Sequence, residues 1–153
     1  MARTYLDRLP IVITRPFNYT GPGQAVDFLI PKLVHHFAQR ATTIELGNLH
    51  VEREFNDVRM VCNTYLALLD KGQSGEIYNV CSGQPYTLQQ VIETLTAITD
   101  HRLDVRVNPA FIRANEVHRL CGNPEKLLMC IDTVWQPELH DTLRWMLDAK
   151  LRS

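Results

Sequence analysis

Three side chains have the types and spacing for anion chemistry. In the stretch "VEREFNDV", alternation along a strand places Val51, Arg53 and Phe55 on one face. A cation between apolar neighbours is costly unless it meets an anion. A guanidinium suits phosphate because its planar fork donates paired hydrogen bonds. An ion pair with a nearby Glu or Asp would satisfy Arg53 equally well. Further on, "NPAFIRANEVHRL" puts Arg113 and Glu116 three residues apart beyond an X-Pro break. That pair could read a phosphate and a sugar hydroxyl or base edge, or its members could simply neutralise each other on a surface turn.

Other chemistries fail on residue type or spacing. The loop "RPFNYTGPGQ" follows the apolar run "PIVIT" and invites a phosphate-loop reading. Yet G-x-G-x-x-G breaks at Val26, and no G-x-x-x-x-G-K-[ST] exists. There is no G-x-S-x-G and no H-E-x-x-H. Adjacent His35 and His36 point in different directions on a helix, which spoils joint metal ligation, so no metal site is expected. Cys62, Cys81, Cys121 and Cys130 form no C-x-x-C pair and read as reduced, mostly packed thiols.

The elements that must position these residues alternate between helix and strand. "LPIVIT" is a β-branched run of the kind buried in a parallel sheet. Helical spacing follows over "AVDFLIPKLVHHFAQR", bent or restarted near Pro31. "TTIEL" and "HVEREFND" read as two short strands around a Gly47-Asn48 turn. Asp57 can cap a helix through "VRMVCNTYLALLDK" that stops at Gly72. "GEIYNV" and "LDVRV" are strands, Thr87 and Gln90 have capping-box spacing, and Asn123-Pro124 can open "PEKLLMC". A terminal amphipathic helix covers "HDTLRWMLDAKLR", and "MARTYLDR" reads as the end of another helix. The class is therefore α/β or α+β.

At 153 residues the chain suits one domain with a small appendage. Sixteen basic and 17 acidic residues leave a net charge of −1, so no global basic field exists to hold nucleic acid. No 18-residue apolar run and no signal-peptide h-region occur, and a soluble, cytoplasmic protein is expected.

Taken in order, "LPIVITRPFNYTGPGQ", "GNLHVEREFNDVRMV", "GEIYNVCSGQPYTLQQVIETL", "NPAFIRANEVHRLCGNPEKL" and "WQPELHDTLRWML" resemble the C-terminal half of extended short-chain dehydrogenases/reductases. Within the NAD-dependent epimerase/dehydratase group, the chain is most similar to GDP-4-keto-6-deoxy-mannose reductases and GDP-mannose 4,6-dehydratases. The resemblance implies that residues 1–24 are a remnant of the Rossmann half, comprising a helix end, its last parallel strand and the RPFN loop. Residues 25–153 would then form a small α/β nucleotide-sugar-binding domain, with the N-terminal Rossmann core absent. It also implies that Pro16 and Phe17 line the nicotinamide side of the cofactor, and that Asn18, Arg53, Arg113 and Glu116 hold a GDP-sugar.

The complete enzyme of this family uses NAD or NADP and a Tyr-x-x-x-Lys pair. None of the five tyrosines here has Lys four places on, so the chain is expected to be inactive alone and to hold no cofactor by itself. Its partners would be a GDP-sugar and either a further copy or a separate Rossmann-domain chain, with no nucleic acid and no membrane. The alternative is a non-catalytic, self-associating interaction module, because "PIVIT" lacks its sheet neighbours. Three positions depart from the family pattern: Glu54 and Met60, where Asp is usual, and Ala114, where Pro is common.

Overall fold

The computed structural model describes residues 2–112 and 115–152. Its strands are β1 (Ile13–Pro16), β2 (Tyr19–Thr20), β3 (Thr43–Leu46), β4 (Glu52–Arg53), β5 (Asn56–Asp57), β6 (Ile77–Val80), β7 (Tyr86–Thr87), β8 (Asp104–Val107) and β9 (Arg119–Leu120). Its α-helices are α1 (Leu29–Ala38), α2 (Val58–Lys71), α3 (Leu88–Thr99), α4 (Glu125–Ile131) and α5 (Leu139–Leu151). The fold is the expected α/β mixture.

Helix ends follow local chemistry. α1 begins at Leu29, which leaves Pro31 in the first turn, where a missing N–H costs no hydrogen bond. The Asp57 carboxylate caps α2 by accepting from Arg59 N at 2.8 Å. At α3, Thr87 Oγ1 accepts from Gln90 N while Gln90 Oε1 accepts from Thr87 N, a complete capping box. Asn123 Oδ1 accepts from Glu125 N at 2.8 Å and so opens α4.

Two apolar cores result. The larger joins Leu33, Val34 and Phe37 of α1, Ile44 and Leu46 of β3, Val91 and Leu95 of α3, and Leu143 and Met146 of α5. The smaller joins Met60, Val61 and Leu68 of α2, Tyr78 and Val80 of β6, and Leu127 and Ile131 of α4.

The sheets are short and differ from the expectation in two places. β3 and β4 do not form a hairpin. β3 pairs in parallel with β8, which buries Ile44 and Leu46 on one face while Thr43 and Glu45 stay exposed. β4 instead joins a three-stranded sheet, antiparallel to β7 and parallel to β9. The second difference concerns β1, which keeps one sheet partner, β6, in parallel register from Ile13↔Ile77 to Pro16↔Val80. Its other edge meets no strand among the described residues. At the N-terminus a single 3-10 turn, Ala2–Tyr5, stands where a helix end was expected; with no N-cap and no surface to cover, all four of its residues are exposed.

Gly122 sits in a tight gap beside Cys81 and Phe17. A Cβ there would lie 2.5 Å from Cys81 Sγ and 2.9 Å from Phe17 Cζ. Gly122→Ala should therefore cost about 1–3 kcal/mol through overpacking. Thermal melting is the check. Gly23→Ala makes the useful comparison, because nothing lies within 4 Å of that Cβ and only its φ of +84° opposes the change.

Candidate functional site

The extended segment Glu52–Asp57 collects most of the candidate residues. At one end, β4 pairs Arg53 with Leu120 and Glu52 with Arg119, which brings the 116–120 stretch alongside. At the other end, β5 pairs with β2, and Asn18 O accepts from both Asn56 N (3.0 Å) and Asn56 Nδ2 (3.1 Å). The loop before Asn18 crosses the end of β6, where Phe17 N donates to Val80 O at 3.0 Å. Asn18, Arg53 and Glu116, about a hundred residues apart in the chain, thus hang from one six-residue strand segment.

Arg53 is half-buried, and its Nη1 donates to Glu52 O (2.8 Å) and His118 O (3.2 Å). Among the described residues it forms no ion pair, and the neighbouring Glu52 is engaged by Arg119 at 3.3 Å. The salt-bridge alternative for Arg53 is therefore not what the fold uses there. One guanidinium nitrogen is anchored on carbonyls, and the positive charge stays uncompensated.

Glu116 is half-buried, and its Oε2 is shielded from solvent without a hydrogen-bond partner among the described residues. A buried carboxylate oxygen left this way is uncommon in a folded protein. Arg113 lies outside the described residues. Asn18 is exposed, and its side-chain amide makes no hydrogen bond among the described residues. Pro16 is exposed, while Phe17 is half-buried with its ring against Gly122.

Two side chains take positions that the sequence does not foretell. Alternation through "VEREF" turns Glu54 outward, yet it is 1% exposed. Its Oε2 accepts from Ser82 N (2.8 Å), Ser82 Oγ (3.0 Å) and Asn56 Nδ2 (3.1 Å), and its Oε1 accepts from Gly122 N (2.5 Å). The alternation fails because β4 is only two residues long and the chain leaves strand pairing at Glu54 and Phe55 before β5. Lys32, on α1, donates from Nζ to Glu45 O at 3.1 Å and stands 5.4 Å from the Phe111 ring centroid.

Two clefts of 270 and 220 Å³ lie elsewhere: one between the ends of α1, α3 and α5, the other between the Gly21–Gln24 loop, α1 and α5. Neither is lined by a candidate residue. No group of three or more metal-ligating side chains occurs among the described residues, and no helix there is long and apolar enough to cross a membrane.

A match to the family model described as GDP-mannose 4,6 dehydratase runs over residues 1–142. The chain belongs to this family. Among curated members, GDP-6-deoxy-D-mannose reductase from Pseudomonas aeruginosa is 37% identical over 147 residues, which is 92% of this chain and 47% of the relative. GDP-6-deoxy-D-talose 4-dehydrogenase from Aggregatibacter actinomycetemcomitans is 37% identical over 118 residues, 77% of this chain and 40% of the relative. A crystal structure from Burkholderia cenocepacia J2315, assigned as an epimerase, superposes with a TM-score of 0.97 at 47% identity over 99% of this chain and 50% of its own. The Pseudomonas aeruginosa RMD structure, solved with NADPH, superposes with a TM-score of 0.88 at 31% identity over 97% of this chain and 52% of its own. The present chain thus spans about half the length of the GDP-mannose 4,6 dehydratase family members it matches.

Beside the site, Asp57 ties the two cores together. Its buried carboxylate takes Arg59 Nε (2.9 Å), Arg59 Nη2 (2.7 Å) and Thr142 Oγ1 (2.9 Å) as well as the cap bond. The Arg59 guanidinium in turn lies 3.8 Å from the Trp145 ring centroid. Burial alone would raise the Asp57 carboxyl, but the Arg59 side chain, the Arg59 backbone N–H and Thr142 outweigh it and hold the group below its ordinary 3.8. A depressed folded-state value stabilises the fold above the ordinary value, and that contribution is lost as pH falls through the folded one. Asp57→Asn should therefore lower stability at pH 7 by about 1–3 kcal/mol. The gap to the unchanged protein should stay constant down to about pH 5 and narrow below about pH 4, as read by thermal melts across that range.

Proposed function

We propose that this chain is the substrate-binding half of an NAD(P)-dependent GDP-sugar reductase or dehydratase, with residues 1–24 as the remnant of the Rossmann half and 25–153 as the nucleotide-sugar domain. The observation that carries the reading is Arg53, a half-buried guanidinium held by two carbonyls with no acidic partner among the described residues. It lies beside the strand that follows Glu116, whose buried Oε2 also lacks a partner there. A diphosphate would accept from Arg53, with Arg113 and Lys32 adding positive charge. A ribose hydroxyl or base N–H would donate to Glu116, and the Asn18 amide would bond the pyrophosphate region. The names and substrates of the curated relatives agree with this assignment.

Hydride transfer and its acid/base step need groups that this sequence does not contain. Pro16 and Phe17 would offer an apolar wall to a nicotinamide, but no donor set for a dinucleotide pyrophosphate; the Pseudomonas aeruginosa RMD structure was solved with NADPH. This half is accordingly inactive alone and takes up GDP or a GDP-sugar weakly. In calorimetric titrations with GDP-mannose, Arg53→Ala should weaken binding by about tenfold or more, the worth of one charge-assisted hydrogen bond. Equal heats for both proteins, or none for either, would sink the reading.

A second reading, self-association, is favoured by α2. Its buried residues Met60, Val61, Thr64 and Leu68 face the smaller core. Cys62, Tyr65, Leu66 and Leu69 form a second stripe at helical spacing on the opposite side, with Leu66 65% and Leu69 84% exposed. The same chain also carries the open edge of β1. A second copy would cover this stripe, and a polypeptide carrying the other half of the relatives' fold would compete for it. Light scattering at high concentration should give dimers or larger species that Leu66→Asp and Leu69→Asp together disperse. A monodisperse monomer at every concentration would exclude self-association.

A further inference from the structure

Glu54 reaches every segment that carries a candidate ligand group without being such a group itself. Its carboxylate gathers Asn56, the bond partner of Asn18; Ser82, just beyond β6; and Gly122, two residues past β9. A carboxylate this deeply buried is ordinarily matched by a cation or neutralised. Here only neutral donors meet it among the described residues, four of them on two oxygens.

Gly122 is the sensitive member of the set. It sits so close to Cys81 and to the Phe17 ring that even a methyl group does not fit between them. Through Leu120 and Arg119 it continues directly into the strand that pairs with Arg53 and Glu52. Any shift of Gly122 is therefore felt on two sides: by Phe17, on the wall proposed to face a cofactor, and by the 116–120 stretch on which Arg53 is anchored through His118 O.

We propose that Glu54 is a positioning residue, one that fixes the spacing between the Phe17 segment and the Arg53–Glu116 segments and thereby sets affinity for a nucleoside diphosphate. The part concerning affinity rests on the nucleotide-binding reading above; the part concerning spacing does not. The carboxylate is needed because it is an acceptor on both oxygens. In Glu54→Gln one oxygen becomes an NH2. With three donors crowding Oε2, the amide would turn that NH2 toward Gly122 N–H, so that donor faces donor and Gly122 moves away. Glu54→Asp keeps both acceptors but is one methylene shorter, so it restores part of the clamp.

Site-resolved NMR on the full chain tests this by reading amide hydrogen exchange, Phe17 ring and Arg53 guanidinium signals, and GDP titrations of each variant. In Glu54→Gln, the Ser82 and Gly122 amides should lose protection and the Phe17 and Arg53 signals should shift. Amides of α1 and α5 should stay protected, and GDP should bind about tenfold or more weakly. Glu54→Asp should recover part of each change. If Glu54→Gln does not fold, Ser82→Ala, which removes the 3.0 Å hydroxyl donor to Glu54 together with the 3.2 Å bond that hydroxyl accepts from Gln84 N, should give the same changes to a smaller degree. Unmoved Phe17 and Arg53 signals in a folded variant would overturn the proposal, whatever GDP does. Moved signals with unchanged GDP affinity would overturn its link to binding. Absence of GDP binding by the unaltered chain would overturn the nucleotide-binding reading and with it the affinity part, leaving the spacing claim to be judged on the two side-chain signals.

Discussion

A carboxylate withdrawn from water has to be met by donors, and those of Glu54 come from three stretches that are far apart in the chain. Meeting that requirement pulls the segment after β6, the start of β5, and the segment after β9 to one point. These strands are only two to four residues long, too short for ladder hydrogen bonds alone to hold them in register. The buried charge supplies what the ladders lack, a common origin for loops that share no regular sheet. Glu52–Asp57 is therefore less a strand than a strut, paired at each end and pinned in the middle.

The strut explains how segments distant in sequence stay together in a chain that spans about half the length of its relatives. Asn18, Arg53 and the 116–120 stretch are all fixed by contacts made within this chain. The two apolar cores lie on either side and hold the strut through α2 and α5. By contrast, β1, which leads into Pro16 and Phe17, has no second strand neighbour among the described residues. The geometry around Glu52–Asp57 is supported from within this chain on both sides, and that of β1 on one side.

Legibility in the sequence followed the range of the physics involved. Local signals were readable: the Asp57 cap, the Thr87–Gln90 capping box, Pro31 at the start of α1 and the stop at Gly72 each depend on residues within one turn. Features decided by distant partners were not. The supposed hairpin around Gly47-Asn48 dissolved because β3 could bury Ile44 and Leu46 better beside β8, some sixty residues away. The burial of Glu54, named only as a departure from the family pattern, was not legible because period-2 reasoning presumes a strand long enough to keep its phase. Arg53 and Glu116 stood out as chemistry-bearing residues, but only the pairing of β4 with β9 puts their segments side by side, and nothing in the spacing foretells that. Lys32 gave no signal at all, since a lone cation on a helix face is ordinary.

Asp57 closes one more loop in this arrangement. Its carboxylate is at once the cap of α2, which belongs to the smaller core, and the acceptor for Thr142 of α5, which belongs to the larger. Neither core can open at that corner without stranding a buried charge. The two cores are thus parts of one cooperative unit, and amides deep in α2 and in α5 should exchange with solvent through the same global opening rather than through separate ones.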